Sequence, residues 1–315
     1  MQKIRGIIEQ CLQNNPCSAE FRFNEPMAGH TSFKVGGPAD CWVRPGGDES
    51  IGFVAALITA AQQENIPLFV LGGGANIVIS DRGIRGIILD TGGWTGEISS
   101  AAQGEMIFRS GASPDEAADA AAAQGLGGLE FLAGMPGSMG GALWMNARAY
   151  NREMADVVKK ADILDFSAGK AVRLSIHPHK TEFAYKQSPF QNRPCLILSV
   201  SCALFPRNKK EIRAEIKKYR RNRQDKGHYL YPSAGSAFKN NRNFGKPTGQ
   251  IIDELGLKGL SIGGAQIAPY HGNIIINSGG ATAENIRSLM EQTAAQVKKA
   301  TGFILEPELL FVGEW

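Results

Sequence analysis

The sequence lacks the features that mark several classes of protein. Its 315 residues contain no apolar run of the roughly 18 residues that a membrane helix needs. The segment from Met1 to Pro16 lacks the apolar core and small-residue cleavage site of a signal peptide. The five cysteines are odd in number and form no Cys-x-x-Cys pair, a pattern typical of free structural thiols in a reducing compartment. We therefore expect a cytoplasmic protein that does not insert into a membrane.

Two common nucleotide-binding fingerprints are also missing in their usual form. The dinucleotide pattern Gly-x-Gly-x-x-Gly opens a helix, whereas the glycines after Leu71 lack the third glycine and precede β-branched residues. The phosphate-loop pattern fails because Gly245 has no upstream glycine partner and is followed by Lys-Pro-Thr. A nucleotide would therefore have to be held by another kind of loop.

Glycine, by contrast, is abundant, with 38 residues and no collagen-like period. Glycine is usually retained where the backbone needs a positive φ angle or approaches a ligand closely, and exposed amides in such loops bind anions. A tight turn between buried strands is the alternative interpretation. The two densest clusters are Gly72-Gly73-Gly74-Ala75-Asn76, between two strand-like runs, and Gly134-Met135-Pro136-Gly137-Ser138-Met139-Gly140-Gly141.

Positive charge is concentrated in one predicted helix. The net charge is only +4, but Lys and Arg dominate the segment from Lys209 to Lys226, where Ile212, Ile216 and Tyr219 recur at helical spacing. A solvated helix face is one interpretation, and attraction of a polyanionic small molecule is the other. Nucleic acid is a weaker candidate because the chain has no recognised nucleic-acid module. We expect no nucleic-acid partner.

The order of predicted elements indicates an α+β fold without internal repeats. We expect a larger N-terminal domain, residues 1–205, and a smaller C-terminal domain, residues 206–315. A Ser-Pro-Asp-Glu start at Ser113 is close to an ideal helix N-terminus. The predicted helices span Glu49 to Asn65, Ser113 to Gly125, Lys209 to Lys226 and Gln250 to Leu255, with a long one from Thr282; the clearest strands span Val157 to Phe166, Pro194 to Leu204 and Asn273 to Asn277.

Six dispersed motifs are Thr31 to Gly37, Gly72 to Asn76, Gly134 to Ala147, Tyr185 to Phe190, Pro232 to Asn240 and Leu305 to Leu309. Together, in this order and spacing, they resemble one family, the UDP-N-acetylenolpyruvoylglucosamine reductases, over nearly the whole chain. The resemblance implies an FAD-binding domain of the vanillyl-alcohol-oxidase type in two subdomains, about 1–85 and 86–205, and a substrate-binding domain at 206–315. The short span after Asn240 is similar to the compact second type of the family.

The implied reaction reduces an enolpyruvyl ether on UDP-N-acetylglucosamine to a lactyl ether during peptidoglycan precursor synthesis. The resemblance implies non-covalent FAD, NADPH as hydride donor and a UDP-sugar substrate, and we expect a monomer. Hydride goes to the terminal vinyl carbon, the adjacent carbon is protonated, and the carboxylate gains enolate character. Such a site needs a proton donor and preorganised positive or hydrogen-bonding groups.

The family's catalytic positions match three residues of this chain. Ser236 matches the proton donor, although an ordinary turn serine is the alternative. Glu308 matches the catalytic glutamate, with a surface position on an edge strand as the alternative and Glu306 close by. Lys186 stands where the family has arginine, so the charge is kept but the bidentate fork is lost. We hypothesise that Arg148, which replaces a family glycine, supplies the missing guanidinium.

The binding residues follow from the same matches. His177 and His179 share no recognisable spacing with a further ligand, so we expect no metal site. The implied FAD contacts are Val35, Gly72, Gly73, Gly74, Ala75, Asn76, Gly134, Met135, Pro136, Gly137, Ser138, Gly141 and Asn146, and the implied substrate contacts are Tyr185, Lys226 and Asn240.

Three other functions stay open at this level. A flavin oxidase of the same fold would react with oxygen and would not need Ser236, Glu308 and Lys226 together. A non-catalytic UDP-sugar-binding homologue is motivated by Lys186. A nucleic-acid-binding protein rests on the basic helix alone and would bind oligonucleotides with a strong salt dependence.

Overall fold

The computed structural model describes residues 1–101 and 104–315, and within them the predicted α+β class is confirmed. The helices are α1 (Gln2–Asn14), α2 (Ile51–Gln63), α3 (Pro114–Gln124), α4 (Met139–Trp144), α5 (Lys209–Asp225), α6 (Thr248–Glu254) and α7 (Ala283–Thr301). The strands are β1 (Ala19–Pro26), β2 (Pro38–Pro45), β3 (Leu68–Leu71), β4 (Ile77–Ile79), β5 (Ile84–Asp90), β6 (Glu97–Ala101), β7 (Glu105–Arg109), β8 (Leu126–Gly127), β9 (Arg148–Ala149), β10 (Arg152–Glu153), β11 (Val158–Asp165), β12 (Val172–Ile176), β13 (Cys195–Ala203), β14 (Phe205–Pro206), β15 (Ser261–Ile262), β16 (Ala265–Ile267), β17 (Ile275–Asn277) and β18 (Leu310–Val312).

The chain forms two compact units that are discontinuous in sequence. The first unit contains Met1–Phe23, Cys41–Gly73 and Gly86–Arg221, and the second contains Asn24–Asp40, Gly74–Arg85 and Asn222–Trp315. The sequence-based boundary at residue 205 differs from this division, because residues 206–221 belong to the first unit and residues 24–40 and 74–85 join the second. Local sequence patterns do not report the long-range pairing that groups these segments with the C-terminal part.

The first unit is built around an antiparallel five-stranded sheet of order β12-β11-β13-β7-β6. Its core packs α3, α4 and α5 around large buried side chains such as Phe108, Phe131 and Phe190. A second core packs α1 and α2 near strands of the four-stranded sheet β1-β2-β5-β3, in which β3 and β5 run parallel. The four alanines that α3 buries, Ala117, Ala118, Ala121 and Ala122, leave a flat face that permits close packing.

Both ends of α3 and the start of α7 have the capping residues that the sequence predicts. The Ser113 hydroxyl accepts the amide of Glu116 at 3.4 Å, and Gly125 ends α3 in the left-handed region. The Thr282 hydroxyl accepts the amide of Asn285 at 3.1 Å, which confirms the predicted start of α7. The predicted apolar face of α7, from Ile286 to Val297, is buried. These helices were predictable because their stop and start signals are local.

Two helices did not follow from the sequence patterns. The α4 helix has only six residues, lies inside the second glycine cluster and contains Gly140 and Gly141, so no helical period is visible there. The α1 helix precedes the first predicted element and packs on α2 through buried Ile4 and Ile8. Both helices depend on tertiary packing more than on helix propensity.

The second unit packs α7 on the small antiparallel sheet β15-β16-β17. It also contains a parallel pair, in which Leu310 of β18 lies opposite Ile77 of β4. The Asp81 carboxylate accepts the amides of Ala283 and Glu284 at 2.8 and 2.9 Å, and thereby fixes the N-terminus of α7 to the segment after β4. Residues 74–85 are therefore part of the C-terminal fold.

The free state predicted for the five cysteines is confirmed. Burial raises the pKa of Cys202 to about 12 and that of Cys195 to about 11, so these thiols stay protonated at neutral pH. Among the described residues, no helix combines the length and the apolar character required to span a membrane.

Candidate functional site

The two glycine clusters contact each other within the first unit. The Gly73 amide donates to the Ser138 hydroxyl at 3.3 Å, and the Gly141 amide donates to the same oxygen at 3.2 Å. A Cβ atom on Gly73 would lie 2.5 Å from the Gly137 backbone, and one on Gly72 would lie 2.6 Å from the Ser138 hydroxyl oxygen. Glycine is required at both positions because the two loops pack backbone against backbone.

The protein uses some of the loop amides and leaves others available for an anion. The amides of Met139 and Gly140 donate to the carbonyls of Ala112 and Ser110, both at 2.8 Å, and Gly134 donates to Asp115 at 2.6 Å. Among the described residues, no protein acceptor is assigned to the amides of Gly137 and Ser138. Gly134 and Gly137 have φ angles of 68° and 112°, the left-handed geometry of an anion nest. This loop fits the pyrophosphate of a dinucleotide.

The remaining residues of the first cluster belong to the second unit. Gly74 has a φ of 61°, and a Cβ there would lie 2.2 Å from the carbonyl oxygen of His30. The Asn76 carboxamide donates to the Glu308 carbonyl at 3.1 Å, and the Asn76 carbonyl accepts the Leu310 amide at 3.1 Å. Asn76, predicted to contact FAD, therefore also fixes the backbone that carries Glu308. The carbonyl of the buried Val35 accepts the Thr31 hydroxyl at 2.8 Å.

The backbone brings Ser236 and Glu308 onto adjacent segments of the second unit. The Glu308 amide donates to the Ala237 carbonyl at 2.8 Å, and Phe238 lies opposite Pro307 in an isolated bridge. Ser236 is partly buried, and Glu308 is buried with 8% of its surface exposed. The edge-strand position considered for Glu308 is therefore not a surface position, whereas Glu306 is exposed and forms an ion pair with Lys239.

Sequence reasoning missed Asn273, which holds the segment after Ser236. Its carboxamide oxygen accepts the Phe238 amide at 3.0 Å, and its nitrogen donates to the Phe238 carbonyl at 2.7 Å. The Asn273 carbonyl also accepts the Ala237 amide at 2.8 Å. The available signal was a polar residue at the start of the apolar run from Ile274 to Ile276.

Lys186 lies in a tight turn of the first unit. Ala184 and Gln187 exchange two backbone hydrogen bonds across the turn, so Tyr185 and Lys186 are its central residues. Lys186 has a φ of 60°, which is uncommon for a residue with a side chain. The Gln191 carboxamide donates to the Lys186 carbonyl at 3.0 Å and fixes this geometry.

The Asn146 side chain also stabilises the turn that contains Lys186. Its nitrogen donates to the Ala184 carbonyl at 3.0 Å, and its oxygen accepts the Ala155 amide at 3.0 Å. The side chain is fully buried, so both polar groups of this predicted FAD contact are bonded to protein. The Ser188 hydroxyl donates to the carbonyl of Trp144 in α4 at 2.7 Å. These bonds tie the Lys186 turn to the glycine-rich helix.

Arg148 lies close to this turn. Its guanidinium carbon is 5.9 Å from the centroid of the Tyr185 ring, within the range of a cation–π contact. Its guanidinium also lies 3.9 Å from the carboxylate of Glu153, across the β9–β10 hairpin. The structure therefore places a guanidinium beside the residue that precedes Lys186.

Lys226 and Asn240, the other predicted substrate contacts, lie in the second unit. Lys226 follows α5 and is exposed, and its charge contributes to lowered pKa values of two half-buried histidines. Burial is the main cause for both, and it brings the pKa of His228 to about 4. The Asn240 carboxamide oxygen accepts the amide of Thr248, at the start of α6, at 2.9 Å.

The histidines considered for a metal site are engaged elsewhere or exposed. The His179 ring lies 2.7 Å from the Thr181 hydroxyl and caps a short turn, while His177 is exposed. Among residues 1–101 and 104–315, no group of three or more His, Cys, Asp or Glu side chains could hold a metal ion.

Comparisons with known proteins give consistent similarities along the chain. An FAD binding domain matches residues 41–175, and the C-terminal domain of UDP-N-acetylenolpyruvoylglucosamine reductase matches residues 226–312. The reductase of that name from Borreliella burgdorferi is 41% identical over 91% of this chain and 93% of its own length. The one from Treponema denticola is 38% identical over 96% and 98%. The crystal structure of the enzyme from Thermus caldophilus matches with a TM-score of 0.72 and 28% identity, over 93% of this chain and 98% of that one.

Proposed function

Because the chain belongs to the UDP-N-acetylenolpyruvoylglucosamine reductase family, we propose that it reduces UDP-N-acetylglucosamine enolpyruvate to UDP-N-acetylmuramate in peptidoglycan precursor synthesis. The enzyme is an FAD-dependent oxidoreductase, and NADPH is its hydride donor. It acts as a cytoplasmic monomer on a UDP-sugar.

The observation that carries the proposal is the pairing of the segments that contain Ser236 and Glu308. The bond between the Glu308 amide and the Ala237 carbonyl, at 2.8 Å, puts a residue with a hydroxyl and a buried glutamate on adjacent backbone segments. Enolpyruvyl reduction needs a proton donor beside an acidic group, and these two positions match those of the family. The geometry therefore supports a reductase over a protein that only binds a UDP-sugar.

The glycine loops support the cofactor assignment. FAD, when bound, supplies the hydride that it has received from NADPH. The amides of Gly137 and Ser138 would hold its pyrophosphate, because these groups have no assigned protein acceptor among the described residues and lie in a left-handed loop. Gly72 and Gly73 act indirectly, since they let the two loops approach within contact distance.

The residues of the second unit account for the protonation step. When hydride adds to the vinyl carbon, the adjacent carbon becomes carbanion-like and is a strong base. The Ser236 hydroxyl donates its proton to that carbon, a transfer that is downhill despite the weak acidity of serine. Glu308 acts beside it, at the developing enolate oxygen. Both groups act where negative charge appears in the transition state.

Cations supply the remaining electrostatic stabilisation. Lys186 faces the carboxylate of the enolpyruvyl group as a point charge, and Arg148 and Tyr185 support it from the adjacent position. Lys226 binds the diphosphate of the UDP moiety. Arg207 and Arg220 contribute less, because Arg207 pairs with Glu130 and Glu215, and Arg220 pairs with Asp115 and Asp119.

A spectrum and a turnover assay test the proposal together. The purified protein should be yellow, and acid precipitation should release FAD into the supernatant. Under anaerobic conditions NADPH oxidation should depend on UDP-N-acetylglucosamine enolpyruvate and should yield UDP-N-acetylmuramate by mass spectrometry. Rapid reoxidation by oxygen with an alcohol or sugar would instead indicate a flavin oxidase. Tight UDP-sugar binding without turnover would indicate a non-catalytic homologue, and a colourless protein that takes up no FAD would refute the proposal.

A further inference from the structure

We infer that Asn273 is a positioning residue for the Ser236 hydroxyl, through a clamp in which its buried carboxamide holds both backbone groups of Phe238. This inference rests on the proposed function, because it assigns Ser236 the role of proton donor. The two residues are far apart in sequence, and neither the glycine loops nor the acidic residues point to Asn273.

The clamp consists of three hydrogen bonds to the two residues that follow Ser236. The Asn273 side chain accepts from the Phe238 amide at 3.0 Å and donates to the Phe238 carbonyl at 2.7 Å. Its own carbonyl accepts from the Ala237 amide at 2.8 Å. Asn273 is 3% exposed, so water does not compete for these bonds. Ser236 itself lies opposite Ile274 in an isolated bridge.

Only a carboxamide satisfies this arrangement. It offers a donor and an acceptor at the spacing of one backbone N–H and C=O pair, whereas a carboxylate offers acceptors alone. With aspartate, a carboxylate oxygen would face the Phe238 carbonyl oxygen, and the segment would have to move. Proton donation depends on such small displacements, since a misplacement of about 1 Å can slow an enzymatic step by about 10²-fold.

The backbone of Asn273 is in turn bonded to a histidine. The Asn273 amide donates to Nδ1 of His271 at 3.1 Å, so this ring nitrogen is unprotonated and the imidazole is neutral. Burial, Lys226 and Lys258 lower the pKa of His271, and the ring of His228 lies 6.3 Å away between centroids. Neutral His271 thus accepts a hydrogen bond from the backbone of Asn273. The orientation of the carboxamide is set by its donor and acceptor bonds to Phe238.

Two substitutions at position 273 separate positioning from folding. Asn273→Ala should slow reoxidation of the reduced flavin by the enolpyruvyl substrate by about 10²-fold, and flavin reduction by NADPH should stay near the wild-type rate. Asn273→Asp should be equally slow at about pH 8 and recover, relative to wild type, toward about pH 5. Burial raises the pKa of the introduced carboxyl, and its protonated form can donate to the Phe238 carbonyl as the amide does.

The control substitution is Thr282→Ala, which removes the α7 cap in the same unit without touching the Ser236 segment. It should lower the melting temperature and leave both half-reactions near the wild-type rates. Stopped-flow absorbance measures the half-reactions. Equal slowing of both half-reactions in Asn273→Ala, or an Asn273→Asp deficit that does not change with pH, would overturn the positioning role. A wild-type protein that is reduced by NADPH but not reoxidised by the enolpyruvyl substrate would overturn the proposed function itself, and the role of Asn273 with it.

Discussion

Lys186 adopts a backbone conformation that favours glycine, at the second central position of a tight turn. A residue with a side chain in the left-handed region costs about 1–2 kcal/mol relative to its usual conformation. The bonds from Gln191 and Asn146 hold this turn in place. Strain of this kind, fixed by surrounding contacts, is typical of functional sites. The strained backbone supports the proposal that this turn belongs to the functional site.

The first residue-scale prediction distinguishes Lys186 from Arg148 as the cation at the substrate carboxylate. We expect Lys186→Ala to slow flavin reoxidation by the substrate severely, and Lys186→Arg to be active, because the positive charge then remains at the same turn position. Arg148→Ala should have the smaller effect, since Arg148 lies beside Tyr185 and near Glu153.

A double-mutant cycle on reoxidation rates provides the measurement. If the two cations share one partner, the combined variant will be less impaired than the two single effects predict. A larger loss in Arg148→Ala than in Lys186→Ala would show that the guanidinium has taken over the role. Near-wild-type rates in all three variants would exclude both residues from the transition state.

The second residue-scale prediction concerns Ser236. Ser236→Ala should slow reoxidation by roughly 10²- to 10⁴-fold, the usual contribution of a general acid, while NADPH still reduces the flavin at close to the wild-type rate. Stopped-flow absorbance at the flavin maximum resolves the two steps. A parallel decrease in both steps would mean that the serine is structural.

At the scale of elements, the contact between the two glycine loops leads to a third prediction. A Cβ on Gly73 would lie 2.5 Å from the backbone of Gly137, so Gly73→Ala should separate the loops or destabilise the first unit by about 1–3 kcal/mol. The FAD content of the purified variant should also decrease, because the substitution displaces the amides of Gly137 and Ser138.

The matched control for this experiment is Gly6→Ala in α1. A Cβ at Gly6 meets no atom within 4 Å, and a helical alanine is about 1 kcal/mol more favourable than glycine. That variant should therefore be slightly more stable and should keep its FAD. Full FAD retention in Gly73→Ala would show that the loops tolerate separation and that their contact does not form the binding site.

Elements with local signals were predictable from the sequence, and those that depend on tertiary contacts were not. The Ser113 and Thr282 caps define α3 and α7 within a few residues. The α4 helix was hidden because its glycines serve packing against Ser110 and Ser138 and mask any helical period. At the site, motif matches identified Ser236, Glu308 and Lys186. They could not show that three asparagine side chains donate hydrogen bonds to backbone carbonyls in or next to these segments; the three are Asn76, Asn146 and Asn273.

At the scale of the whole molecule, the stability should depend on pH through His228. Burial lowers its pKa from 6.5 to about 4, so between these values the unfolded chain binds more protons than the folded chain. Neutral His228 therefore makes a stabilising contribution to the free energy of unfolding that is fully present above about pH 6.5 and is lost as the pH falls through about 4. After allowance for solvent screening of a half-buried ring, the effect is about 1–2 kcal/mol.

The fourth prediction follows from this dependence. His228→Gln should be less sensitive to acid than wild type between about pH 6.5 and 4, as measured by the denaturant midpoint at each pH. The exposed His177→Gln is the control and should keep the wild-type slope. An unchanged slope in His228→Gln would show that His228 is not buried as a neutral group.

The pairing of β4 with β18 also determines the order in which the protein can be completed during synthesis. Asn76 and its partner Glu308 are separated by 232 positions. At about 5–20 residues per second, a ribosome needs roughly 10–50 s to synthesise the intervening chain. During that interval β4 is exposed without its neighbouring strand, a state that invites aggregation and chaperone binding. The second unit therefore completes its fold only after β18 has been synthesised.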